Sequence, residues 1–118
     1  EFEYSTETKL LINSIINNPN YIGGTDSLDS RIMKLSKSNI FCKGGAEGVF
    51  LFIDLKKKIT GLVKVADGSD RAIPSVLFNL FEKFKIMHRK ELEKFKFLYK
   101  FDLYNHSKIK VGSIKTNI

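Results

Sequence analysis

The spacing of apolar positions along this chain changes from a helical period to a strand period and back, which predicts an α+β fold. Two helix-like segments come first, three short strand-like segments follow, and a long helix comes next. The predicted helices cover about residues 4–17, 26–35 and 73–86, and the predicted strands cover about residues 40–44, 48–55 and 60–66. The turns between these strands are too short for a crossover, so we expect an antiparallel β-meander.

The first predicted helix is amphipathic and ends at a clear stop signal. Its apolar face carries Leu10, Leu11, Ser14 and Ile15, flanked by Ile12 and Ile16. It ends at Asn17-Asn18-Pro19-Asn20, because the residue before a proline avoids the α region. A loop follows at Tyr21-Ile22-Gly23-Gly24, and Thr25 or Asp26 is expected to cap the second helix.

The third predicted helix has the strongest signal. Pro74 suits its first position, and the apolar residues recur at helical spacing: Ile73, Val76, Leu77, Leu80, Phe81 and Phe84. A looser helix over 88–100 and a short strand between Ile109 and Ile114 are expected after it. Within the meander, the strand from Val49 to Leu55 is apolar at nearly every position, which predicts a central strand covered on both faces.

Composition indicates a single globular domain. The chain has 118 residues, of which 42% are hydrophobic and 28% charged, as in soluble proteins. No apolar run approaches the length of a membrane span, and the first residues resemble no signal peptide. Cys42, the single cysteine, has no partner for an internal disulfide and is expected to be a small buried hydrophobe. We therefore expect a cytoplasmic protein.

The net charge of +7 leaves two functions open. Basic residues are scattered, apart from Lys56-Lys57-Lys58 and a segment from Lys83 to Lys100 in which glutamates are interspersed. A solvated helix face explains that segment more readily than a nucleic-acid groove. The alternative is a non-catalytic α+β module that binds nucleic acid or a protein partner through the Lys/Phe-rich stretch 81–101.

The segment Cys42-Lys43-Gly44-Gly45-Ala46-Glu47-Gly48-Val49 carries the candidate chemistry. It places a lysine beside three glycines, where a ligand can approach the main chain closely. Lys43 is therefore a candidate active-site residue. The competing interpretation is a glycine-marked bulge with a solvated lysine.

A series of motifs around this segment resembles the C-terminal part of the type II L-asparaginases of the Rhizobium kind. The series runs through Asn18-Pro19, Ile22-Gly23-Gly24, Asp26, Asp29-Ser30-Arg31-Ile32-Met33, Cys42–Val49, Leu62–Ser69 and Arg71-Ala72, and the segment Asn105–Gly112 resembles the end of the family. The match covers roughly residues 10 to 114. The strings Lys-x-Gly-Ala-Glu-Gly-Val and Lys-x-x-Asp-Gly are specific together.

The resemblance implies a serine β-lactamase-like or penicillin-binding-protein-like fold and hydrolysis of L-asparagine to L-aspartate and ammonia. A serine nucleophile on a Ser-x-x-Lys helix and lysine bases would do the chemistry, with no cofactor expected. The segment Lys43-Gly44-Gly45 would play the part of the Lys-Thr-Gly strand of β-lactamases. Lys43 would be a base or the anchor for the substrate α-carboxylate, and both roles stay open.

The other implied site residues have structural alternatives. The Ala46 N–H would donate to an oxyanion, and Glu47 would bind the substrate α-amino group unless it pairs with Lys64 or Arg71. Asp67, before a glycine, is expected to make an Asx-type turn or to cap the following helix, and Arg71 is expected to hold the same corner. His88 and His106 are expected at the surface, and no metal ligands are predicted.

We expect no Ser-x-x-Lys string in this chain; the nearest string is Thr6-x-x-Lys9, on what the pattern predicts to be an ordinary helix. We therefore expect this chain to be the C-terminal segment of a larger bacterial asparaginase domain, inactive without an N-terminal half that supplies the nucleophile. A sheet of three meander strands plus one is incomplete for that fold. An open apolar face, covered by the other half or by a second copy in a homo-oligomer, is the expected consequence.

Overall fold

The computed structural model describes residues 4–37, 39–95 and 101–118, and it confirms the α+β class. The helices are α1 (Thr6–Asn17), α2 (Asn20–Gly23), α3 (Leu28–Leu35), α4 (Ile73–Lys83) and α5 (Arg89–Lys94), with a 3-10 turn at Asp70–Ala72. The strands are β1 (Ile40–Gly45), β2 (Val49–Asp54), β3 (Ile59–Lys64), β4 (Phe101–Tyr104) and β5 (Lys110–Ile114).

Strands β1, β2 and β3 form the predicted antiparallel meander, in the order β1-β2-β3. The turn from β1 to β2 places Glu47 and Gly48 at φ 59° and 69°, the left-handed pair that tight hairpins need. At the turn from β2 to β3, the buried Asp54 carboxylate accepts hydrogen bonds from the N–H groups of Lys56 and Lys57 at 3.0 and 2.9 Å. Both turns are therefore fixed by local chemistry.

The chain divides into two compact units, residues 1–44 with 51–61 and residues 45–50 with 62–118. The described apolar core of the first unit consists of Ile16, Ile32, Met33, Ile40, Cys42 and Phe52. That of the second consists of Phe50, Val63, Ile73, Leu77, Phe78, Phe81, Ile86, Met87, Leu92 and Phe95.

Helix α1 forms as predicted but buries little of its apolar face. Ser5 caps it by accepting the Thr8 N–H at 3.3 Å. Leu10 is 68% exposed and Leu11 61%, and Ile16 is the buried residue of the helix. Leu10 and Leu11, on the predicted apolar face of α1, are therefore exposed.

Two predictions around α3 were wrong. The residue that caps α3 is Ser27, which accepts the Ser30 N–H at 3.3 Å, and neither Thr25 nor Asp26 does so. The short helix α2 occupies the predicted loop, although Gly24 has the expected positive φ of 92°. Four residues are too few for a periodic signal, so α2 could not be read from the sequence.

Strand β2 is central, as predicted, but its two faces differ. Buried and half-buried residues alternate along it, with Phe50, Phe52 and Asp54 on the buried face. The continuous apolar run therefore indicated a central position correctly and overstated the burial of one face.

Helix α4 starts with proline in its first turn, as predicted, and ends at Lys83, three residues before the predicted end. The Ile86 N–H donates to the Phe81 carbonyl at 2.9 Å and the Lys85 N–H to the Glu82 carbonyl at 3.1 Å. This is a Schellman ending with Lys85 left-handed at φ 52° in the place usually taken by glycine. Phe84 is consequently 53% exposed.

The C-terminal region departs most from the sequence prediction. Helix α5 ends at Lys94, and residues 96–100 of the predicted helix lie outside the described residues. The final strand forms as expected, but it pairs with β4 in a separate two-stranded sheet, with Leu103 opposite Gly112. The expected fourth strand of the meander is therefore not observed among the described residues. A sequence pattern identifies a strand but not its partner.

We predict that Gly61→Ala destabilises the complete natural protein, because a Cβ at this position would lie 2.2 Å from Cζ of the buried Phe52 ring. Overpacking of this kind costs about 1–3 kcal/mol, measured as the loss of free energy of unfolding in urea. Gly112→Ala is the matched control, because its Cβ would lie 3.9 Å from Leu103. Equal stability of the two variants would contradict the close packing of Phe52 on Gly61.

Candidate active-site residues

Lys43 lies near the end of β1 with its side chain 51% exposed. Its Nζ donates a hydrogen bond to the Gly44 carbonyl and lies 3.9 Å from Oδ2 of Asp29. Half of the Lys43 side chain is therefore solvated, as in the competing interpretation. Gly44 and Gly45 continue β1 without positive φ, and the amine has a carboxylate beside it.

Asp29 contacts the candidate site residues, and the sequence analysis did not single it out. Its side chain is 6% exposed and lies in the first turn of α3. Oδ1 accepts from the Ser27 hydroxyl and from the Ser30 N–H, the latter at 2.9 Å, and Oδ2 accepts from the Gly44 N–H at 3.3 Å. Serines on either side of an aspartate at a helix start are a signal for capping, but nothing in the sequence predicts contact with β1.

Two segments of the family-like motif series hold Asp29 in place. The Ser30 hydroxyl donates to the Pro19 carbonyl at 2.7 Å. A Cβ on Gly23 would lie 2.5 Å from Oδ1 of Asp29 and 2.6 Å from Oγ of Ser27, so only glycine allows α2 to approach this carboxylate. The Asn-Pro and Gly-Gly motifs therefore form the support of the Asp29 carboxylate.

In the second unit, the β1–β2 turn is held by residues of the other specific string. The Val65 N–H donates to the Gly48 carbonyl at 2.8 Å, and Lys64 Nζ donates to the Glu47 carbonyl. A Cβ on Gly48 would lie 2.9 Å from Cβ of Val65 and 3.0 Å from the carbonyl carbon of Gly68. The two specific strings thus meet at this turn, and their glycines permit the contact.

The Glu47 carboxylate does not pair with Lys64 or Arg71, contrary to the structural alternative given above. Lys64 binds its backbone carbonyl and Arg71 binds Asp67, so neither of these residues neutralises its carboxylate. Glu47 is exposed, with a left-handed backbone. Its carboxylate is thus presented at the turn, next to the exposed Ala46.

Asp67 and Arg71 have the structural roles expected of them. The Asp67 carboxylate accepts from the Ser69 N–H at 2.9 Å, which closes an Asx turn, and from Arg71 Nη2 at 2.8 Å. The Ser69 N–H and the Arg71 guanidinium hold the pKa of Asp67 below its usual value. The pair is exposed.

The expectation that the chain has no Ser-x-x-Lys string was wrong, because Ser107-Lys108-Ile109-Lys110 matches the string by spacing. It lies in the β4–β5 turn and the start of β5, and residues three apart share a face only in a helix. Lys110 Nζ pairs with Oδ1 of Asp102 at 2.8 Å, and this hydrogen bond raises the pKa of Lys110. Ser107 and Lys110 therefore do not reproduce the helical Ser-x-x-Lys arrangement of the family. Thr6 and Lys9 are both exposed on α1.

Other predicted residues are placed as follows. Cys42 is fully buried and its thiol donates to the Asp29 carbonyl at 3.4 Å. His88 and His106 are exposed. In the described part of stretch 81–101, Phe81 and Phe95 are buried, whereas Phe84 is exposed.

A groove of about 410 Å³ is lined by Ile16, Asn17, Asn18, Pro19, Asn20, Tyr21 and Lys34, none of which is a predicted site residue. Within residues 4–37, 39–95 and 101–118, no cluster of three or more His, Cys, Asp or Glu side chains is placed to hold a metal ion. No helix among the described residues is long and apolar enough to cross a membrane.

The fold and these contacts define an α+β protein with a lysine and a buried carboxylate at the end of a meander strand. The family model for L-asparaginase II matches residues 1–116. The chain therefore belongs to the L-asparaginase II family. No curated protein matches the sequence.

We predict that Cys42 resists alkylation in the native protein. The thiolate is the reactive form, and burial, assisted by the negative charge of Asp29 and opposed by Lys43, raises the pKa of this thiol well above its usual value. Iodoacetamide at mildly alkaline pH should label the Cys42 peptide slowly in the native protein and completely in guanidinium chloride, as read by mass spectrometry. Rapid labelling of the native protein would contradict the burial of Cys42.

We also predict that Asp67 contributes to stability at neutral pH and loses that contribution in acid. Its folded-state pKa is lowered, so the contribution is present above the unfolded pKa of about 4. It disappears as the pH falls through the lower folded pKa. An NMR titration should place the Asp67 midpoint below about 4, and Arg71→Gln should raise it only partly, because the Ser69 N–H remains. A native midpoint at the ordinary value would contradict the Asx turn.

Proposed function

We propose that this chain supplies the Lys43-Gly44-Gly45 side of an active site that hydrolyses L-asparagine to L-aspartate and ammonia. Membership of the L-asparaginase II family supports amide hydrolysis. The observation that carries the assignment to Lys43 is the placement of its amine beside the Gly44 peptide and the buried Asp29 carboxylate.

The proposed reaction uses a serine hydroxyl as nucleophile. It attacks the side-chain amide carbon, ammonia leaves, and water hydrolyses the acyl-enzyme. A neutral lysine accepts the serine proton, and a protonated lysine gives a proton to the amide nitrogen, which then leaves as ammonia. Of the two Ser-x-x-Lys-like strings in this chain, neither joins a serine to a lysine on a helix, so we propose that the nucleophile comes from another part of the protein. By itself this chain would then be inactive.

Two further roles complete the proposal. The Ala46 N–H would donate to the oxyanion, a contribution of about 3 kcal/mol in comparable sites. The Glu47 carboxylate would bind the α-amino group of the substrate, which is favoured by the absence of a pairing with Lys64 or Arg71. In chain order, β1 with Lys43 follows the helix α3 and precedes the antiparallel strands β2 and β3. This order supports the proposal of a serine β-lactamase-like fold.

We predict that Lys43→Ala lowers kcat/KM for ammonia release from L-asparagine by about 100- to 10,000-fold, the usual contribution of a general base, when introduced into the complete natural protein. Lys9→Ala is the matched control, because Lys9 is an exposed lysine on α1; it should leave kcat/KM unchanged. Ser107→Ala should also leave it unchanged.

Lys43→Arg separates the two roles of Lys43. Arginine keeps the positive charge but does not deprotonate. If Lys43 is a base, Lys43→Arg should therefore abolish activity. If Lys43 is the carboxylate anchor, Lys43→Arg should keep much of the activity and change KM rather than kcat. A complete protein that is inactive on asparagine and glutamine would overturn the proposal. Strong salt-sensitive binding of single-stranded nucleic acid would then favour the binding-module alternative.

A further inference from the structure

Asp29 contacts three consecutive residues of β1. Its backbone carbonyl accepts from the Cys42 thiol at 3.4 Å, its Oδ2 lies 3.9 Å from Lys43 Nζ, and the same oxygen accepts the Gly44 N–H at 3.3 Å. A carboxylate with this little solvent is costly to bury without such partners. Its position therefore determines where the end of β1 and the Lys43 amine lie.

The other oxygen of Asp29 prevents the side chain from turning away. The Ser27 hydroxyl and the Ser30 N–H both donate to Oδ1, and the Ser27 hydroxyl also lies 2.8 Å from that of Ser30. Because one oxygen is bound to α3 and the other to β1, the carboxylate has a single orientation. A group fixed in this way can orient a flexible lysine, whose four-carbon side chain otherwise samples many rotamers.

We infer that Asp29 is the positioning residue for Lys43: its carboxylate joins the start of α3 to β1 and holds the amine against the Gly44 peptide. The catalytic meaning of this inference rests on the proposed function, whereas the contact between Asp29 and Lys43 is independent of it. Asp29 acts through Lys43 and needs no contact with the substrate. Displacement of a reacting group by about 1 Å costs on the order of 100-fold in rate, so loss of this support is expected to be large.

The test is a double-mutant cycle in the complete natural protein with L-asparagine as substrate. Asp29→Asn keeps the size of the side chain and removes its charge. If the amide oxygen still accepts from Ser27 and Ser30, the NH₂ group faces the Gly44 N–H and the Lys43 amine. Asp29→Asn should lower kcat/KM by about 10- to 100-fold. In a Lys43→Ala background the same substitution should change kcat/KM by less than about twofold, because contributions made through one group are not additive. Additive losses would overturn the inference.

Asp54→Asn is the matched control for a purely structural carboxylate. Asp54 is as deeply buried as Asp29 and, like it, accepts backbone N–H groups near a strand end. The Asp54→Asn substitution should lower the free energy of unfolding and leave kcat/KM of the folded protein unchanged. An equal loss of kcat/KM in Asp54→Asn and Asp29→Asn would overturn the inference. If Asp29→Asn fails to fold, Ser27→Ala, which removes one donor to Oδ1, replaces it in the cycle with the same expected pattern.

A second readout needs no activity. Acetic anhydride labelling of Lys43, relative to Lys9 and read by mass spectrometry, should rise at least about threefold in Asp29→Asn, because the amine loses the carboxylate that restrains it. An unchanged ratio would overturn the inference whatever the activity. If the labelling changes but the complete protein hydrolyses neither asparagine nor glutamine, the proposed function fails while the Asp29–Lys43 contact stands.

Discussion

A carboxylate that is removed from water must be satisfied by hydrogen bonds and positive charge, and Asp29 meets this requirement by joining α3 to β1. Each of its oxygens has defined partners, in the Ser27–Ser30 turn on one side and at Lys43 and Gly44 on the other. A rearrangement that moved β1 away from α3 would leave a buried charge unsatisfied. Such a loss is among the more costly changes in a small fold.

A second constraint acts at the β1–β2 turn, where Gly48 and Gly68 approach closely. Each of them is left-handed, and at Gly48 a side chain has no space. Lys64 binds the Glu47 carbonyl from the same string that provides Gly68. The conformation of Glu47 is therefore imposed by a segment about twenty residues further along the chain. This explains in physical terms why the two strings are specific when they occur together.

Sequence periodicity was sufficient for α1, α3, α4 and the meander, because these elements carry a clear apolar pattern and short turns. It failed at α2, which is too short for a period, and at the end of α4, where Lys85 adopts the left-handed conformation without being glycine. It also assigned β5 to the wrong sheet. Pairing partners depend on burial and loop geometry, which local sequence does not encode.

For the candidate site, the sequence by itself identified Lys43 and its glycines as candidates, and it predicted the Asx turn of Asp67 and the burial of Cys42, which the structure confirms. These follow from local residue chemistry: a lysine beside bare backbone, an aspartate before glycine, and a single cysteine in an apolar strand. Only the tertiary structure decided that Asp29 lies beside Lys43, that Lys64 binds a carbonyl and not the Glu47 carboxylate, and that Ser107-x-x-Lys110 lies outside any helix. The physical reason is that such contacts join residues distant in sequence, and their distances are set by the packing of helices and strands that no local pattern specifies.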